Sequence, residues 1–154
     1  MLVSACLAGE KCKYSGGDNR IEAIAELVCQ GKAVTVCPET LGGLPVPRPP
    51  AEIQGGNGYD VLAGKAQVID CQGRDVTAAF CRGASATLAL AQRLQPDLII
   101  LKEKSPSCGS QCIYDGSFTA ATTAGPGVTA ALLKQHGFEV ISEKQFVASQ
   151  ETDI

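Results

Sequence analysis

Leu2-Val3-Ser4-Ala5 is the stretch whose reading decides the fold. Apolar and small side chains follow one another without alternation, as in a strand buried on both faces of a parallel sheet. The run leads directly into Cys6. Two further runs repeat the pattern: Ala33-Val34-Thr35-Val36 precedes Cys37, and Asp97-Leu98-Ile99-Ile100-Leu101 stands a few residues before Cys108. Amphipathic stretches separate these strands. One runs from about Asn19 to Gln30, with Ile21, Ile24, Ala25 and Val28 on one face. The other runs from Thr77 to about Leu94, with Phe80, Ala84, Leu88 and Ala91 on one face. Strand–helix alternation of this kind predicts an α/β fold of three layers, Rossmann-like, with a mainly parallel sheet.

The remaining segments fit one domain spanning 1–154. Asn19 is placed to cap the first helix and Gly31 to end it. Residues 37–57 are Pro- and Gly-rich and read as a long irregular segment, a length that is usually functional in a compact domain. Residues 59–63 and 66–70 read as a hairpin across Gly64-Lys65. A second Gly/Ser-rich loop covers 104–125. Pro126 enters a helix that runs to about His136, with Gly137 as its stop, and residues 138–142 form the last strand. The tail after about Lys144 is polar and reads as peripheral.

Composition narrows the function. Hydrophobic residues make up 45% of the 154, so the chain can bury a core. No apolar run reaches membrane-span length, and the N-terminus lacks the basic region of a signal peptide, so a cytoplasmic protein is expected. The net charge is −3 and no Lys/Arg stripe stands out, which argues against long nucleic acid as a partner. Eight cysteines without an export signal point to reduced thiols with a metal role rather than to a disulfide scaffold.

In an open parallel sheet, the loops at the carboxyl ends of the strands meet at one edge, where ligands bind. Cys6, Cys37 and Cys108 all belong to such loops. Three thiolates there can hold an iron–sulfur cluster or a soft metal and leave a coordination position open for chemistry. The plainer role of a buried cysteine is packing. It suits Cys29, read on the apolar face of a helix, and Cys81. Cys12 and Cys112 are open as ligands, reactive thiols or bystanders. No C-x-x-C pair occurs, which disfavours a zinc ribbon. His136, the lone histidine, reads as a helix cap.

Among the other polar groups, Glu39 sits two residues after Cys37, where a carboxylate can serve as general base or hold a substrate N–H. Arg48 and Glu52 are weaker candidates that can simply pair with each other. Ser105 and Ser107 flank Pro106 beside Cys108, as turn formers or within reach of a ligand. Gly42-Gly43 and Gly109-Ser110 can present backbone N–H groups to an anion or a cluster sulfide.

Several motifs, in order, resemble the thiouracil desulfidase family over nearly the whole chain. They are Val3-Ser4-Ala5-Cys6-Leu7-Ala8-Gly9 with Cys12-Lys13-Tyr14-Ser15-Gly16-Gly17, Val36-Cys37-Pro38-Glu39 with Leu41-Gly42-Gly43-Leu44, Pro47-Arg48-Pro49-Pro50-Ala51-Glu52, Lys102-Glu103-Lys104-Ser105-Pro106-Ser107-Cys108-Gly109, and Ile113-Tyr114-Asp115-Gly116. The resemblance implies a [4Fe-4S] cluster on three cysteines and conversion of a thiolated nucleobase, such as 2-thiouracil, to uracil and sulfide without redox change. It places the ligands on Cys6, Cys37 and Cys108, with Cys12 as the rival to Cys6, and the catalytic groups on Glu39 and Ser105. Two other readings of the same thiols are a zinc-dependent nucleobase hydrolase and a non-catalytic iron–sulfur sensor or carrier. The zinc reading lacks the His/Cys-x-x-Cys signature. The sensor reading requires a fourth protein ligand, Cys12 or Cys112, and no cavity beside the cluster.

Overall fold

Strand β1 (Leu2–Ser4) is buried along its whole length, because it runs through the middle of a sheet covered on both faces. The computed structural model describes residues 1–152. After β1 come a 3-10 turn (Ala5–Ala8), helix α1 (Glu22–Cys29), strand β2 (Val34–Val36) and the short helix α2 (Pro38–Leu41). Strand β3 (Ala51–Gln54), helix α3 (Gly58–Leu62), strand β4 (Gln67–Asp70) and the long helix α4 (Thr77–Leu94) follow. The chain then forms β5 (Ile99–Leu101), β6 (Cys112–Tyr114), β7 (Thr122–Ala124), α5 (Val128–Gln135), β8 (Val140–Ser142) and α6 (Glu143–Thr152).

The central sheet has four strands in the order β2-β1-β5-β8, all parallel. Leu2 pairs with Val34 on one side and with Ile99 on the other, and Ile99 pairs with Val140. Alternate residues feed two cores. Leu2, Val36, Ile99 and Leu101 pack with Ala91 of α4 and Leu133 of α5. Val3 and Ile100 pack on the opposite face with Ile24 of α1 and Phe146 of α6. The sequence expectation of helices on both faces of a parallel sheet describes this architecture. From β1 the chain proceeds to β2 on one side, and later strands extend the sheet on the other. The crevice where ligands bind in such sheets therefore lies at the carboxyl ends of β1 and its neighbours.

Several local expectations change, among them the 104–125 loop, which carries the antiparallel pair β6–β7. Residues 59–63 are not a strand: Gly58–Leu62 is helix α3. Asn57 Oδ1 accepts from the Tyr59 N–H at 2.9 Å, and Asp60 Oδ2 accepts from the Asn57 N–H at 2.8 Å, a reciprocal cap that fixes the helix start. The hairpin partner of Gln67–Asp70 is Ala51–Gln54, inside the segment read as irregular. Asn19 does not cap α1, which begins at Glu22. Glu143–Thr152 is helix α6, and its Phe146 is buried against Val3, Leu7 and Ile24, so the reading of this stretch as peripheral gives way.

Candidate functional site

The loops after β1, β2 and β5 bring Cys6, Cys37 and Cys108 to one edge of the sheet. Cys6 lies in the 3-10 turn that directly continues β1. Cys37 follows β2 directly and is the N-cap before Pro38, the first residue of α2, whose fixed φ suits a helix start. Cys108 is 6% exposed, in the loop beyond β5. The thiols are close enough to act on one another electrostatically. Burial first, and then repulsion from Cys6 and Cys37 among neighbouring charges, pushes the Cys108 thiol up. Burial likewise raises Cys6, with a further contribution from Cys37. Cys37 moves the other way, to about 5, because the Cys12 thiol hydrogen-bonds to it and the hydroxyl and amide of Thr40 add to that effect. That lowering favours the thiolate, the form that ligates metals.

Cys12 stands beside this group. Its carbonyl oxygen lies 3.9 Å from Cys37 Sγ, and its own thiol is raised by the hydrogen bond to Cys37. A cleft of about 390 Å³ opens between Cys12 and Cys37, walled in part by Ala5, Thr40, Leu41 and Leu90. Cys29 is exposed, not on a buried helix face, and Cys112 lies on β6 opposite Ala124. Cys81 is raised by burial alone, as befits a packing cysteine. His136 follows α5, with Nδ1 3.0 Å from the Leu132 carbonyl, and so sits at a helix end as read.

Glu39 is held by Arg48. Arg48 Nη2 lies 3.4 Å from Glu39 Oε2 and also donates to the Cys12 carbonyl at 3.0 Å, while Nη1 donates to the Pro45 carbonyl at 3.1 Å. The arginine side chain is 3% exposed and that of Glu39 20%. Burial raises the Glu39 carboxyl above its ordinary range, and the guanidinium opposes that rise. The Arg48–Glu52 pairing considered from sequence does not form. Glu52 instead accepts from the Gly116 and Phe118 N–H groups. The placement of Glu39 depends on close helix contact. A Cβ on Gly42 would collide with the Ala79 carbonyl, and one on Gly83 with the Pro38 carbonyl, so only glycine lets α2 lie this close to α4.

Ser105 Oγ accepts from the Ser107 N–H at 3.1 Å and the Cys108 N–H at 3.0 Å, which folds the loop around Cys108. Ser107 is buried with its hydroxyl 2.7 Å from Thr129 Oγ1, so that hydroxyl is not offered to a ligand. The glycine-loop amides are also engaged. Gly42 N–H bonds to Pro38, Gly43 to Thr40, Gly109 to Ser105 and Ser110 to Glu103, so the expected anion nests do not form.

Sequence reasoning missed several supporting groups. Ser4 Oγ accepts from the Lys102 N–H at 3.0 Å and hydrogen-bonds the Cys108 thiol. Asn19 bonds Cys6 through its side chain, and its N–H donates to the Cys6 carbonyl at 2.9 Å. Glu103 is buried behind the Cys108 loop. A polar residue inside an apolar strand, such as Ser4, was the one available signal.

Among the described residues, no three His, Cys, Asp or Glu side chains converge as they would on one ion, which a mononuclear zinc centre needs. A cluster carries its ligands on separate irons, so its thiols need not meet at a point.

The profile of the 2-thiouracil desulfurase family matches residues 1–145. The protein YbbK of Bacillus subtilis (strain 168), described as uncharacterized, is 52% identical over 145 residues, covering 94% of this chain and 96% of its own. A solved structure described as the [4Fe-4S]-dependent thiouracil desulfidase TudS superposes with a TM-score of 0.83. It is 41% identical, and the match covers 100% of this chain and 98% of that one.

Proposed function

Because this chain belongs to the 2-thiouracil desulfurase family, we propose that it is a [4Fe-4S]-dependent desulfidase that converts 2-thiouracil, or a related thiolated nucleobase, and water to the oxo base and hydrogen sulfide. The observation that carries this reading is the set of three mutually coupled thiols, on loops after three adjacent parallel strands, with the Glu39 carboxylate among the charges they feel.

The residues present fit the cluster. All three donors are soft thiols, and the thiolate form of each raises the proton affinity of the others, an opposition that a cationic centre between them would relieve. Cys6, Cys37 and Cys108 would hold it. When bound, the cluster would supply a thiophilic Lewis acid for the exocyclic sulfur of the base. Glu39 accepts the proton of the water that attacks the ring carbon. Its partial burial raises its basicity, and Arg48 opposes part of that rise and fixes its direction. Ser105 uses its oxygen as acceptor for two loop amides, which leaves its O–H to donate to the ring. The sheet buries its thiols at one edge, and no helix among the described residues is long and apolar enough to cross a membrane.

The test is iron and acid-labile sulfide in anaerobically reconstituted protein. Wild type should hold a cluster, and Cys37→Ser and Cys108→Ser should not. Equal iron in all three would remove the three-thiol site.

A further inference from the structure

Behind the Cys108 loop lies a carboxylate that nothing in the reaction uses. Glu103 is 6% exposed. Its Oε1 accepts from the N–H groups of Lys104 at 3.3 Å, Ser110 at 3.0 Å, Gln111 at 3.1 Å and Cys112 at 3.1 Å, and its Oε2 accepts from Ser110 Oγ at 3.3 Å. These donors lie on both sides of Cys108, so one side chain gathers the two arms of the loop. Its own backbone N–H donates to Glu143 Oε2 at 2.8 Å, and Lys102 Nζ meets Glu143 Oε1 at 3.3 Å, which ties the gathering point to the start of α6. Buried charge is costly unless it is paired or richly hydrogen-bonded. Here backbone dipoles meet that cost, and they are dipoles of the loop itself.

We propose that Glu103 is the positioning residue of the cluster site: its carboxylate shapes the 104–112 loop so that Cys108 is presented preformed to the cluster. This rests on the reading of Cys108 as a ligand, but the shape of the loop is measurable without iron. The neighbouring elements complete the frame. The α5 N-terminal amides of Val128 and Thr129 bond the Pro106 and Ser107 carbonyls, and Lys134 Nζ bonds the Ser110 carbonyl. Those contacts hold the loop to the helix, while Glu103 closes it upon itself. A glutamine at 103 keeps the volume but removes the charge that the four loop N–H groups meet, and its NH₂ stands where Oε2 accepts from Ser110 Oγ.

The experiment compares Glu103→Gln with Glu52→Gln, a control in which another buried carboxylate that accepts loop N–H groups is altered in the same way. In the full chain without iron, alkylation by iodoacetamide is followed at each cysteine by mass spectrometry. We expect at least a tenfold faster reaction at Cys108 in Glu103→Gln, with little change at Cys108 in Glu52→Gln, although both lose stability. In reconstituted protein, chelator should strip iron from Glu103→Gln at least tenfold faster than from Glu52→Gln. Should Glu103→Gln fail to fold, Ser110→Ala, which deletes one of the donors, gives a smaller change of the same sign at Cys108. Unchanged Cys108 reactivity in a folded Glu103→Gln, or an equal rise in Glu52→Gln, would overturn the proposal. If wild type takes up no iron while the alkylation contrast holds, the cluster reading fails and the loop-shaping role stands.

Discussion

Arg48 joins Glu39 to the Cys12 loop with one nitrogen: Nη2 is 3.4 Å from Glu39 Oε2 and 3.0 Å from the Cys12 carbonyl oxygen. The side chain is almost wholly buried, and its Nε is the one buried side-chain polar atom left without a partner among the described residues. Arg48 thus serves as counter-ion and strut together, holding a carboxylate and a cysteine loop in one frame. Removing a buried partner leaves the other charge uncompensated at about 3–5 kcal/mol. Arg48→Met should cost about 3 kcal/mol, the low end, because Glu39 keeps some contact with solvent. The midpoint of urea unfolding measures it, and a shift within error would mean that the pair contributes nothing net.

Glu39→Gln should leave the iron content unchanged and lower the rate of sulfide release by roughly 10²–10⁴-fold, the usual contribution of a general acid–base group. Glutamine keeps the size and loses the proton-accepting function. Ser105→Ala should reduce the rate less, and it should also loosen Cys108, since the Ser105 oxygen accepts the Cys108 N–H. Full activity in Glu39→Gln would remove that carboxylate from the mechanism.

Cys6 and Cys12 are separated by their neighbours. Cys6 is among the charges felt by both Cys12 and Cys108, while the main partner of Cys12 is the Cys37 thiol. Cys6→Ser should abolish cluster binding, Cys12→Ser should keep it, and Cys29→Ser, at an exposed position, should behave as wild type. Iron per chain after reconstitution decides the assignment. Loss in Cys12→Ser with retention in Cys6→Ser would exchange the two roles.

The parallel strands were legible because residues buried on both faces read as unbroken apolar runs, short and bounded as in Leu2-Val3 and Ile99-Ile100-Leu101. The loops after them followed from topology, which is why the candidate thiols could be named. What was not legible was local competition. Tyr59-Asp60-Val61-Leu62 has strand composition, but the reciprocal cap between Asn57 and Asp60 makes it a helix. Ala51–Gln54 was hidden by its prolines upstream and by Glu52, a charged residue buried only because loop amides meet it. Cys29 illustrates the limit of helical periodicity, since it lies at the last position of α1, where the apolar face has already turned from the core. Glu103 stood in a motif but gave no signal of its role, because its partners are backbone groups that no side-chain pattern reveals.

Glu103 also predicts an acid limb of stability. Burial alone would raise its carboxyl, but the amides of Gln111, Cys112 and Lys104 outweigh that and hold it below the ordinary glutamate range. A carboxylate depressed in the folded state stabilises above its unfolded value, about 4.3, and loses that contribution as pH falls through the folded value. Stability of wild type should therefore drop below about pH 4.3 more steeply than that of Glu103→Gln, measured as urea midpoint against pH. Parallel profiles would show that these hydrogen bonds do not favour the ionised form.

The central claim is that thiols from three strand ends make a desulfidation site, and product release from 2-thiouracil tests it most directly. Anaerobically reconstituted wild type should give sulfide and uracil in equal amounts with no added reductant or oxidant, and Cys108→Ser should give neither. Sulfide released equally by Cys108→Ser, or none from a wild type that carries its cluster, would contradict the account.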